Sequence, residues 1–111
     1  MADIHVSDQN QVKLVEAKGR IDSSNAGELG EVLNSVLDEG ALQVVIDFSA
    51  VDFMSSAGVR ELVSALKRIR RSQGDIRLAQ PSDRVYEVLE MVGLNKIFQI
   101  YPGQAEAVGS F

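Results

Sequence analysis

The chain has 111 residues, of which 45% are hydrophobic, with 16 acidic against 11 basic side chains and a formal net charge of −5. That length fits one domain over residues 1–111, and the negative charge argues against general affinity for nucleic acid or anionic membrane. The sequence contains no Cys, which excludes disulfides and thiolate metal sites.

Ile4–Val6 reads as a first short strand and Asp8-Gln9-Asn10 as a turn, because Asp and Asn bond their own backbone there. Val12–Ala17 is a second strand, and the two make a hairpin. Gly19–Asn25 is a loop rich in helix-capping side chains. After it Ala26, Leu29, Leu33, Val36 and Leu37 fall on one helical stripe, which Gly40 stops. Leu42–Ile46 is an apolar, β-branched run without clean alternation, as expected of a central strand covered on both faces. It runs out at Asp47 into a polar loop.

A second helix is expected over about Ala57–Ser72. Val59, Leu62, Val63, Leu66 and Ile69 form its stripe, and Lys67, Arg68, Arg70 and Arg71 suit its C-terminal dipole. Ile76–Ala79 is a strand. Pro81 and Ser82 open a third helix with Val85, Val88, Leu89 and Val92 inward, and Gly93 ends it. Ile97–Tyr101 is the last strand, and Gln104–Val108 forms a final short helix. The order is β-β-α-β-α-β-α-β-α. Short connections imply right-handed crossovers and mostly parallel pairing, hence an α/β fold with a four- to five-stranded mixed sheet and helices packed mainly on one face. No apolar run approaches the roughly 20 residues of a membrane span, so no direct membrane insertion is expected. The N-terminus lacks the basic and apolar regions of a signal peptide, and a cytoplasmic location is expected.

The chemistry concentrates in Val44–Arg60. A buried strand leads through Val51, Phe53 and Met54 to two hydroxyls, Ser55 and Ser56, followed by the small Ala57 and Gly58, then Val59 and Arg60. Ser is a favoured N-cap, and the free amides and positive dipole of a helix start attract anions. A phosphate on Ser56 suits such a position, and so does plain capping; the residues alone leave both readings open. Asp22 is either a turn former or helix cap, or a residue that orients that serine or lines a partner surface. Asp47 and Asp52 read as turn formers rather than metal ligands. His5, the one histidine, sits near a terminus on an expected edge strand, and no nucleophile elbow is present, so neither a catalytic nor a metal site is expected. Gly27 and Gly30 lie within a helical pattern and lack phosphate-loop spacing; no cofactor is implied.

Four motifs in order carry a resemblance. They are Gly19-Arg20-Ile21-Asp22, Val45-Ile46-Asp47-Phe48-Ser49, Phe53-Met54-Ser55-Ser56-Ala57-Gly58-Val59-Arg60, and Leu89-x-x-Val92-Gly93-Leu94 with Ile97-Phe98. From about Val12 to Pro102 the chain resembles the STAS-domain anti-sigma-factor antagonists of bacteria, in the branch bearing Ser-Ser-Ala-Gly-Val-Arg. The resemblance implies a STAS fold and a partner switch without enzymatic activity. The family's phosphorylated serine falls on Ser56, with Ser55 as second choice. The family's preceding Asp falls on Ser55 and its following Ser or Thr on Ala57, so the chain departs at both flanks, which points to an exchanged kinase specificity. Asp22, Ser23, Met54, Ser55, Ala57, Gly58, Val59 and Arg60 are the implied partner-binding residues. The implied partners are a GHKL-type serine kinase that doubles as anti-sigma factor and a PP2C-type phosphatase; a monomer is expected. The competing expectation is a constitutive STAS subunit of a lipid or anion transporter complex, with no phosphate on Ser56.

Overall fold

The structure, a computed structural model, describes residues 3–111; Met1 and Ala2, which belong to the stretch read above for a signal peptide, lie outside the described residues. The elements follow in the order β1 (Asp3–Gln9), β2 (Val12–Ile21), α1 (Ala26–Asp38), β3 (Gln43–Met54), α2 (Ser56–Arg71), β4 (Asp75–Ala79), α3 (Asp83–Met91), a 3-10 turn (Leu94–Lys96), β5 (Ile100–Tyr101) and α4 (Gln104–Gly109). The strands form one sheet in the order β1-β2-β3-β4-β5. Only β1 and β2 pair antiparallel; the other pairs are parallel. The expected order and mixed sheet are therefore present.

Four boundaries differ from the sequence reading. Asp8 and Gln9 belong to β1, and the hairpin turns on Asn10 and Gln11 alone, with φ of 51° and 70°. Positive φ at both central residues is the type I′ geometry, whose twist matches the flanking strands. Gly19–Ile21, read as loop, continues β2 through two register irregularities, with Gly19 at φ 91°. The strand expected to end at Asp47 runs to Met54, because Ala50, Val51, Phe53 and Met54 pair along β2 while Ser49 and Asp52 fall at its two register irregularities. The last strand is only Ile100–Tyr101. Gly93 at φ 77° turns the chain into the 3-10 segment, and Phe98 is buried beyond it. Val92, expected inward, is exposed because α3 ends at Met91.

The main core lies between one sheet face and α1, α2 and α3, where Val15, Ala17, Val44, Ile46 and Phe48 meet Leu29, Leu33, Leu62, Leu66 and Val85. The other face carries a smaller cluster, in which Val12, Leu14, Val45 and Ala79 pack against Ala107 of α4. Val44–Phe48 is buried throughout, which explains a run without alternation. Each fully buried Leu, Ile or Phe contributes about 1.5–3 kcal/mol relative to exposure. The central strand is thus anchored on both sides before it reaches the site.

Candidate functional site

β2 and β3 run parallel and end together, with Ile21 paired to Met54. Past those ends the chain turns once through Asp22–Asn25 into α1 and once through Ser55 into α2. The Ser55 amide donates to the Ile21 carbonyl at 2.8 Å, which holds the two turns side by side.

The two serines are not equivalent. Ser55 is the N-cap of α2, in extended geometry, and its hydroxyl oxygen accepts from the Gly58 amide at 3.4 Å. Ser56 is the first helical residue and is exposed. Its hydroxyl makes no hydrogen bond among the described residues. It stands where first-turn amides lack intrahelical partners and where the helix dipole is positive. Ala57 is half-buried and Arg60 exposed.

Beneath the helix start the packing is close. A Cβ at Gly58 would stand 2.8 Å from Ile21 Cγ2 and 3.0 Å from Met54 Cγ. Only glycine lets α2 begin this near the strand ends. Met54 and Val59, two of the implied partner-binding residues, are buried at 2% and 8% exposure. Together with the buried Gly58, they shape the surface from below instead of forming it.

The neighbouring turn is built on Asp22. Its carboxylate accepts from the Ser24 hydroxyl at 2.5 Å and from the Ser24 amide at 2.9 Å, with Arg20 Nε at 3.8 Å. The Ser24 hydroxyl chiefly, then the Ser24 amide, with the Arg20 charge adding, hold this carboxyl below the ordinary aspartate value. Asp22 is thereby committed to its own turn, and among the described residues no hydrogen bond joins it to Ser56. Ser23 is exposed beside it. Asn25 occupies the N-cap position of α1 without capping it. Its Oδ1 accepts from the Asp22 amide and its Nδ2 donates to the Arg20 carbonyl. The expected cap is thus a buried brace for the Asp22 turn.

One contact was not legible in the sequence. The Arg20 guanidinium lies 4.2 Å from the Phe53 ring centroid. The two residues are register partners on β2 and β3, a relation that only strand pairing reveals. Elsewhere, Asp47 lies inside β3, buried at 4% exposure, and accepts from the Ser49 amide, Gln80 Nε2 and Gln104 Nε2. Asp52 and His5 are exposed, His5 on the edge strand. Among the described residues no group of three His, Asp or Glu is placed to hold a metal ion.

The STAS domain family matches residues 3–107. This chain belongs to the STAS-domain family. BtrV of Bordetella bronchiseptica is 33% identical over 94 residues, covering 85% of this chain and 81% of the relative. An anti-sigma-B factor antagonist of Listeria monocytogenes is 30% identical over 92 residues, covering 83% and 81%. The crystal structure of an anti-sigma factor antagonist from Mycobacterium paratuberculosis superposes with a TM-score of 0.91 at 25% identity, covering 99% of this chain and 93% of that one. Among the described residues of this STAS domain, no helix is long and apolar enough to cross a membrane.

Proposed function

We propose that this chain, as one STAS domain over residues 1–111, is a cytoplasmic anti-sigma-factor antagonist whose partner binding is controlled by phosphorylation of Ser56. The bare form binds a GHKL-type serine kinase that also serves as anti-sigma factor, through the surface formed by Asp22, Ser23, Ser55, Ala57 and Arg60 around the start of α2. The kinase transfers phosphate to Ser56, the partner is released, and a PP2C-type phosphatase restores the bare form. The observation that carries this reading is the division between the two serines: the Ser55 oxygen is engaged as a cap while the neighbouring Ser56 is exposed. Phosphate adds about −1.5 to −2 charges. At the helix start the fold tolerates that charge, whereas a docked partner meets it directly.

The test is intact and peptide-level mass spectrometry of the protein recovered from its own cells. Phosphate on Ser56 in a fraction of molecules is the expected result. Phosphate on Ser55 alone moves the site by one residue. None in any growth condition overturns the switch and favours a constitutive subunit of a larger complex.

A further inference from the structure

A second feature lies at the far side of the same sheet end. Beyond the carboxyl ends of β4 and β5 is a groove of about 630 Å³. In open α/β sheets this is the side on which crevices take ligands. Tyr86, Tyr101, Pro81 and Pro102 form its walls, and Asp83 and Glu87 add two carboxylates. The spacing explains the composition. Residues 83, 86 and 87 stand at i, i+3 and i+4 on α3 and therefore share one face.

Two observations show that the groove is braced. Gln80 adopts φ 52°, a left-handed conformation uncommon for a residue with a side chain. Its amide donates to the Tyr101 carbonyl at 2.9 Å, and its side chain donates to the buried Asp47. Ser82 Oγ donates to the Val51 carbonyl at 2.8 Å, which fixes the start of α3 against β3. The groove floor is thus tied to two neighbouring strands.

The charge in it is unanswered. Asp83 and Glu87 are exposed, and neither makes a salt bridge among the described residues. Arg84, the one cation of α3, is not among the lining residues. Like charges at i, i+4 repel, and tyrosine rings attract cations at their faces. Two phenols with two unpaired carboxylates complement a guanidinium or ammonium group. The volume exceeds that of a single ion and suits a short stretch of chain.

We propose that this groove binds an arginine- or lysine-bearing segment of a protein partner. The site is separate from Ser56 and does not depend on the phosphorylation reading. The test is an amide NMR titration of the full chain, at physiological ionic strength, with a short Gly/Ser peptide carrying spaced arginines. The expected result is shift changes concentrated at residues 80–87 and 100–102. Asp83→Asn with Glu87→Gln should weaken binding by about tenfold or more. An equal charge change on α1, Glu28→Gln with Glu31→Gln, should leave it unchanged, as should Ser56→Asp. The undisturbed amide spectrum of each variant serves as the check on folding. Shifts spread over the acidic surface, equal weakening by the α1 pair, or no binding would each overturn the proposal. Free arginine amide binding as tightly as the peptide would also overturn it, because the occupant would then be a small cation.

Discussion

The amide of Ser55 donates to the carbonyl of Ile21 at 2.8 Å, one residue past the point where Ile21 pairs with Met54. Because of that bond, the end of a strand early in the sequence sets the height at which α2 begins. Position 58 has to fit under the same constraint. Gly58→Ala gains about 1 kcal/mol in helix propensity. It also presses a Cβ onto Ile21 and Met54, both 2% exposed or less, and overpacking costs about 1–3 kcal/mol. The expected net effect in urea unfolding is a loss of stability. Gly27→Ala on α1, where an added Cβ meets nothing within 4 Å, should instead stabilise by about 0.5–1 kcal/mol. Equal effects at the two positions would contradict the close approach at Gly58.

The two serines should separate stability from partner binding. Ser55→Ala removes the cap on Gly58 and should cost about 1 kcal/mol. Ser56→Asp and Ser56→Ala alter an exposed position and should shift stability by no more than about 0.5 kcal/mol. In a binding assay with the kinase, Ser56→Asp should lose the partner while Ser56→Ala retains it. Unfolding of Ser56→Asp would contradict the placement of the switch on the surface. Loss of binding in Ser56→Ala would make the hydroxyl itself a contact.

Why the order of elements was legible, and their lengths less so, follows from what stops each segment. Gly40, the Gly74-Asp75 pair and Pro81 separate apolar runs whose periods differ, so helices and strands could be told apart. Within β3, Asp47, Ser49 and Asp52 look like a loop. They remain strand because β2 pairs alongside through two irregularities, and pairing across 30 residues of intervening chain is not a local property. The same applies to Arg20 over Phe53. Asn25 had the composition of a cap, but its side chain turned back to brace Asp22. The candidate serines were legible because a strand-to-helix boundary followed by small residues is a local pattern. Which serine caps was fixed only by where the helix begins.

Asp22 provides a pH test of that brace. Its carboxyl is held below the ordinary aspartate value of 3.8 by the Ser24 hydroxyl first and the Ser24 amide next. A lowered pKa in the folded state stabilises the turn above the unfolded value, and the effect is lost as pH falls through the folded value. The turn should therefore be intact from neutral pH down through the ordinary carboxylate range and loosen only below it. An NMR titration of the Asp22 carboxyl should give a midpoint below 3.8, and Ser24→Ala should raise it. A midpoint at or above the ordinary value would show that the Ser24 bonds do not persist in solution.

On the opposite face, Asp47 ties α4 to the sheet. Its Oδ2 accepts from Gln80 Nε2 at 3.2 Å and from Gln104 Nε2 at 2.8 Å, while Oδ1 accepts from the Ser49 amide. Asp47→Ala would remove the acceptor of the Gln80 side chain and of the Ser49 amide and leave Gln104 Nε2 only Glu16 Oε2 at 3.4 Å, in a part-buried setting, at a cost of about 1–3 kcal/mol. The loss should be local as well as global. Apart from Ala107 and its neighbours against Val12, Leu14 and Ala79, α4 is also held by Arg77, which donates to the Ser110 carbonyl and hydroxyl and lies 4.0 Å from the Phe111 ring centroid. Hydrogen exchange should therefore accelerate in residues 104–109 of Asp47→Ala while the amides of α2 keep their protection. Gln104→Leu removes one donor and leaves Gln80 on the carboxylate, so it should loosen α4 less than Asp47→Ala does. Uniform acceleration across the chain in both variants would mean that Asp47 supports the whole sheet, and that α4 has no stability of its own to lose.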